Sequence, residues 1–217
     1  MAASLVIFDC DGVLVDSEML GNHVFAEMLS ENGHRISAAE TVARFRGMKL
    51  ATCLEILQNE SGVRLPESFE TELRRRMSDA FRAQLRPVKG APRLIRSMSV
   101  PFCVASSGPR SKIEDNLRTT KLYAHFENAI FSAYEIGSWK PDPGLFLAAA
   151  RHYSVAPEDC IVIEDSSVGV SAGKAANMTV LGLSAASDDE SVAAADQIFS
   201  SLDDIHNYFV SQQLACK

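Results

Sequence analysis

The 217-residue sequence has no block of lysines and arginines, no C-x-x-C pair, no histidine pair at metal-ligand spacing, and no apolar stretch near the length of a membrane span. Each absence excludes something. Acidic residues outnumber basic ones by 28 to 21, for a net charge of −7, and an acidic chain without a basic run is a poor nucleic-acid binder. The five cysteines, Cys10, Cys53, Cys103, Cys160 and Cys216, are odd in number and irregular in spacing. That argues against a disulfide framework and a zinc site and for a reducing cytoplasm. No positive residue precedes the first apolar run, so the N-terminus does not read as a signal peptide. Without about 20 consecutive apolar residues, no membrane span is expected. His23, His34, His125, His152 and His206 fall outside every motif below and read as surface or packing residues. Repeats and low-complexity segments are missing too.

What is present fits a globular α/β protein. Hydrophobic residues make up 47% of the chain and charged residues 23%, enough for one large domain or one domain carrying an insertion. Apolar, β-branched runs recur at Leu5 to Asp9, Pro101 to Ser106, Ala129 to Ser132, Cys160 to Asp165 and Thr179 to Leu183. Short runs of this kind fit strands buried on both faces. Helical patterns lie between them, at Ala91 to Met98, Arg110 to Leu122, Pro143 to Tyr153 and Val168 to Ala176. The alternation predicts a doubly wound, Rossmann-like parallel sheet. One interval breaks it. From Ser17 to Arg86 the pattern is helical throughout, with Val24, Phe25, Met28 and Leu29 on one face and Phe69, Leu73, Met77 and Phe81 at every fourth position. This predicts a small all-helical domain, 17–86, inserted into a core formed by 1–16 and 87–217, with the return marked by Pro87 and Gly90. The Ala/Ser/Asp stretch from Ser184 to Asp196 reads as a surface loop with a short helical turn.

Ligands of a doubly wound sheet bind beyond the carboxyl ends of its strands. There the sequence places Asp9 and Asp11, then Ser106, Ser107 and Gly108, then Lys140, and finally Glu164 and Asp165. Clustered carboxylates repel one another and are expected to hold a hard divalent cation, and all-oxygen ligation suits Mg²⁺. Lys140 would neutralise a carboxylate and an incoming anion. The Ser106 hydroxyl and the backbone N–H groups around Gly108 and Gly12 would donate to phosphate oxygens. An aspartate is a competent nucleophile at phosphorus when a metal and a lysine screen its charge. A second carboxyl two residues on would protonate the leaving oxygen and later deprotonate water.

The segments DCDGVLVDSE, VASSGPR, SWKPDP and VIEDSSVG resemble, in order, the four motifs of the haloacid dehalogenase superfamily, and the helical insertion resembles its cap. Within the superfamily the chain is similar to the β-phosphoglucomutase-like and 6-phosphogluconate phosphatase-like branch, through RFRGMKL in the cap and SWKPDP in the core. The resemblance implies an aspartyl-phosphate on Asp9, Asp11 as general acid/base with its carbonyl on Mg²⁺, Ser106 on the transferring phosphoryl group, and Lys140 bridging Asp9 and phosphate. It implies Asp165 as a metal ligand, with Glu164 a second or water-mediated one. The implied reaction is hydrolysis of a small phosphorylated metabolite, a sugar-phosphate monoester of the 6-phosphogluconate kind. The implied state is a monomer, with a dimer as the alternative. A phosphosugar mutase is the competing enzyme; its cap histidine and arginine positions fall here on Gly21 and Leu50. A non-catalytic phospho-sugar binder is the competing non-enzyme.

Several residues keep two readings. Arg110 faces the phosphate or starts a helix. Ser107 binds phosphate or caps. Arg46 and Lys49, around Gly47, read an anionic substrate tail or are two solvated charges. Asp16 and Glu18 shape a hinge or touch sugar hydroxyls, or cap the first cap helix together with Ser17. Trp139 packs the core loop or walls the pocket. A cap that opens and closes, with hinges near Asp16 and Pro87, is expected.

Overall fold

The structure, a computed structural model, describes residues 3–45, 50–185 and 190–216. The chain divides into two units, one formed by Met1–Val15 and Arg86–Lys217, the other by Asp16–Leu85.

The first unit is built on a parallel sheet in the order β3-β2-β1-β4-β5-β6. The strands are β1 Leu5–Phe8, β2 Phe102–Ser106, β3 Ile130–Ser132, β4 Cys160–Glu164, β5 Thr179–Leu183 and β6 Gln197–Phe199. Every residue of β1 and β4 is buried, which is why both read as unbroken apolar runs rather than alternating ones. Alternate residues serve opposite faces. Leu5 and Ile7 join Cys103, Val162 and Val180 in a cluster with Leu145, Phe146 and Val170. Phe8 turns the other way and meets Phe102 and Phe126 edge-on.

The second unit is all-helical: α1 Glu18–Glu31, α2 Ala38–Phe45, α3 Leu50–Ser61 and α4 Phe69–Gln84. Its own core gathers Val24, Phe25, Met28 and Leu29 of α1 with Phe45, Cys53, Leu57, Phe69 and Leu73. Met77 packs against this cluster while still half-exposed. In the first unit the helices are α5 Ala91–Ser97, α6 Arg110–Thr119, α7 Ala133–Ile136, α8 Gly144–His152, α9 Ser167–Ala175 and α10 Leu202–Ser211. The fold is the expected α/β one, a parallel sheet with an all-helical insertion after the first strand.

Two elements arise where the pattern predicts none. β6 is three residues with two exposed, so it has no apolar run to announce it. α10 is capped by Ser201, whose hydroxyl accepts from the Asp204 N–H at 3.2 Å. The stretch after Ser184 holds a short 3-10 turn at Glu190–Val192.

Candidate active site

Strand order reverses about β1, so a crevice forms at its carboxyl end. Register fixes what stands there. Phe8 pairs with Ile163, and the Asp9 N–H donates to the Ile163 carbonyl at 3.0 Å, so Asp9 comes to lie beside Glu164. Ser106 ends β2, in register with Ser132 on β3. Asp9, Glu164 and Ser106 are all buried.

Lys140 reaches this point from the loop between α7 and α8. Asp142 tightens that loop by accepting from the Gly144 N–H at 2.8 Å and from the Ser138 hydroxyl. The lysine side chain is only 4% exposed, and its Nζ donates to Asp9 Oδ1 and to Glu164 Oε1. Its Nζ lies 5.0 Å from the centre of the Phe146 ring on α8. Glu164 is in turn held on both oxygens. Oε2 accepts from the Ser166 hydroxyl at 2.9 Å and from the Asp165 and Ser166 N–H groups. Ser166 caps α9 through the Gly169 N–H. A Cβ on Gly169 would fall 1.9 Å from the Glu164 carboxyl carbon, so glycine is what lets this carboxylate lie against the first turn of the helix.

Asp165 lies against the turn after β1. Gly12 has φ +82, and a Cβ there would fall 2.0 Å from Asp165 Oδ2. Both the backbone conformation and the space therefore call for glycine. Carboxylate oxygens of Asp9, Glu164 and Asp165 lie within 4.8 Å of one another. Burial pushes the Asp9 carboxyl up to about 7; Lys140 opposes this and Glu164 adds to it. Lys140 is shifted upward as well: burial works against its charge, but Asp9 and Glu164 outweigh it. The two shifts differ in cause: burial raises Asp9, whereas the pull of Asp9 and Glu164 raises Lys140. Three carboxylates this close could hold a divalent cation, and hard oxygen donors suit Mg²⁺.

At the end of β2, the Ser106 oxygen accepts from the Gly108 N–H at 3.1 Å, and a hydroxyl that accepts retains its hydrogen to donate. Ser132 braces this turn through the Gly108 carbonyl at 2.7 Å. Ser107 and Gly108 are half-buried beside it.

A model of the family described as haloacid dehalogenase-like hydrolase matches residues 6–183. The chain belongs to that family. Among its relatives is 6-phosphogluconate phosphatase of Escherichia coli K12, 36% identical over 176 residues that span 81% of this chain and 80% of the relative. A second is the phosphorylated carbohydrates phosphatase of Thermotoga maritima, 28% identical, covering 80% of this chain and 81% of the relative. Among solved structures, a hydrolase of the same family from Deinococcus radiodurans R1, crystallised with phosphate and sodium, superposes with a TM-score of 0.87. It is 28% identical, over 99% of this chain and 98% of that one. As a haloacid dehalogenase-like hydrolase, the chain is an enzyme.

Not every residue picked from the sequence joins the cluster. Arg110 opens α6, but its guanidinium binds Glu135 and the Ile130 carbonyl, the latter at 2.8 Å. Of the two readings this is the helix-starting one, with a carboxylate 25 residues away in sequence pairing the charge. Ser17 stands at the N-cap of α1 in helical backbone and makes no side-chain cap bond. Asp16 is exposed in the helical unit, and Glu18 begins α1, its carbonyl accepting from Asn22 Nδ2. Arg46 and Lys49 lie outside the described residues. Trp139 is 46% exposed and meets Tyr134 edge-on at 5.5 Å, so it packs on the rim rather than in the core.

Sequence reasoning also missed partners. Lys112 Nζ donates to Asp11 Oδ2 at 2.8 Å, and Asn116 Nδ2 to Asp11 Oδ1 at 3.4 Å. Their i, i+4 spacing on a helix that begins at a strand's carboxyl end was the available signal.

Proposed function

We propose that this hydrolase is a Mg²⁺-dependent phosphatase of small sugar-phosphate monoesters, favouring substrates of the 6-phosphogluconate kind and working through an aspartyl-phosphate. The observation that carries the reading is the buried Asp9 joined to Lys140 beside Glu164 and Asp165. The named activities of the two phosphatase relatives and the phosphate in the Deinococcus structure support it.

Asp9 and Asp165, with the Asp11 carbonyl, would hold the metal, which when bound screens phosphoryl charge. Asp9 attacks phosphorus; the bond from phosphorus to the ester oxygen breaks as Asp11 delivers its proton to that oxygen. Ser106 and the Ser107 N–H hold the phosphoryl oxygens, while the Gly108 N–H, expected from the sequence to join them, is spent on orienting the Ser106 hydroxyl. Lys140 keeps Asp9 oriented and balances the charge that gathers around phosphorus. Water then attacks the aspartyl-phosphate, Asp11 takes its proton, and Asp9 and inorganic phosphate separate. Glu164 holds Lys140 in place through Oε1 and would serve the metal as a second or water-mediated ligand. Among the described residues no helix is long and apolar enough to cross a membrane. The free, mostly buried cysteines fit a cytoplasmic enzyme.

Two tests arise at this point. At pH 8, Mg²⁺ at about a hundred times its dissociation constant should stabilise the fold by about 2.7 kcal/mol. For a chain of this size that raises the melting temperature by roughly 5–10 °C. The rise should vanish in Asp165→Asn and shrink at pH 6, where a proton on Asp9 competes with the cation. An equal rise in Asp165→Asn would remove that residue from the metal site. The second test is phosphate release from a panel of 6-phosphogluconate, hexose 6-phosphates, β-glucose 1-phosphate, phosphoglycolate and nucleoside monophosphates, with and without Mg²⁺. The reading predicts Mg²⁺-dependent release led by 6-phosphogluconate. Isomerisation of β-glucose 1-phosphate without release would make the protein a mutase.

A further inference from the structure

Acid/base work by Asp11 requires its carboxylate to be aimed. The residue sits on a turn rather than in a strand, and its side chain is still about a third exposed. The sequence offers nothing near it to hold it. The structure supplies two groups from one helix. Lys112 and Asn116, one turn apart on α6, meet the two Asp11 oxygens from across 101 and 105 residues of chain. α6 is a firm base, because Ile113 and Leu117 on its inner side are 1% and 0% exposed. Asn116 is itself 3% exposed, and a buried amide left without a partner is costly, so its bond to Asp11 is part of how this helix packs. The Lys112 stem borders the phosphoryl cradle: a Cβ on Gly108 would lie 3.6 Å from Lys112 Cδ and 3.5 Å from Ser106 Oγ.

A half-exposed ion pair contributes only about 0–1 kcal/mol to stability. So small a contribution does not explain why Lys112 joins Asn116 on this carboxylate. We propose that Lys112 and Asn116 are positioning residues that clamp the Asp11 carboxylate from α6, setting its aim at the leaving oxygen and later at the attacking water. The inference rests on the phosphatase reading above. A carboxylate has about four lone-pair sites, of which Lys112 and Asn116 occupy two. Lys112, Asn116 and Asp11 all lie in the sheet-containing unit, the body that also carries Asp9.

The test uses the full-length protein with Mg²⁺ and two esters, 6-phosphogluconate and para-nitrophenyl phosphate. The aryl group leaves without a proton, whereas the alkyl oxygen needs one. Lys112→Met should lower kcat on 6-phosphogluconate roughly 10- to 100-fold, part of the 10²–10⁴ that acid/base catalysis supplies, with KM within about twofold. On para-nitrophenyl phosphate it should leave the first turnover of nitrophenolate unchanged and slow the turnovers that follow. A burst then appears, because water still has to be deprotonated. Lys112→Arg should restore most of the rate, and Asn116→Ser should repeat the pattern at smaller size. Melting curves check that each variant is folded. A raised KM with kcat unchanged would make Lys112 a substrate ligand and overturn the proposal. Unchanged kinetics, or an equal loss in the first turnover of both esters, would also overturn it. A wild-type protein that releases phosphate from neither ester overturns the phosphatase reading itself. Wild-type release that is lost in Asp9→Asn shows that reading intact, so any failure at Lys112 then belongs to the clamp alone.

Discussion

Asp9→Asn should reduce Mg²⁺-dependent phosphate release on the order of 10⁴- to 10⁶-fold, the scale on which losing a nucleophile is felt. It should do so without unfolding the protein, and the reason is electrostatic. The wild-type carboxyl is pushed up to about 7, chiefly by burial, so its charged form is disfavoured in the fold. For an acid whose folded pKa is raised, the cost is absent below the unfolded value near 4. It grows as pH rises from about 4 to 7 and is complete above 7. A neutral amide escapes that cost. Without divalent cations, the variant should therefore melt no lower than wild type at pH 8, and its relative stability should improve as pH rises from 4 to 7. Glu164 remains as a partner for Lys140, so the lysine is not stranded. Substantial residual activity that still depends on Mg²⁺ would remove Asp9 from the nucleophile role. A large drop in melting temperature would mean that the ion pair with Lys140 outweighs the burial cost.

Lys140→Met should damage both activity and stability. The side chain is 4% exposed and its charge meets two buried carboxylates at once. Removing one partner of a buried ion pair typically costs about 3–5 kcal/mol, because what remains is uncompensated buried charge. For a chain of this length that is a fall in melting temperature of roughly 6–20 °C. The deficit should shrink as pH falls from 8 to 5, since a protonated carboxyl needs no counter-charge. Activity should not return with it, because Asp9 must be ionised to attack. Melting curves of wild type and variant at several pH values, with EDTA present, separate the two effects. A deficit independent of pH would point to lost packing on Phe146 instead.

Much of this site is legible in the sequence because its geometry follows from strand ends. β1 and β4 are buried on both faces, so their apolar runs stop where the chain leaves the sheet, and Asp9 and Glu164 are the residues at those stops. Parallel pairing then brings them together across some 155 positions. Residues held by tertiary contact are harder to see. The partner that draws Arg110 away, Glu135, lies on another element, and nothing in VASSGPR announces it. Lys112 and Asn116 read as the polar face of a helix until the fold shows which carboxylate that face meets. Gly12 and Gly169 stand within recognisable motifs, yet their purpose emerges only from the carboxylates that occupy the space their missing side chains leave. β6 has two of its three residues exposed, so hydrophobic patterning had nothing to register.

The central claim is a covalent phosphoryl group on Asp9, and trapping it is the most direct test. The protein would be mixed with 6-phosphogluconate and Mg²⁺, quenched in acid within a turnover, and reduced with borohydride, which converts an acyl phosphate to an alcohol. Peptide mass mapping then locates the reduced side chain. The account predicts reduction at position 9 alone, absent without substrate and absent in Asp9→Asn. Reduction at Asp11 or another carboxylate, or single-turnover phosphate release with no trapped acyl phosphate anywhere, would contradict it.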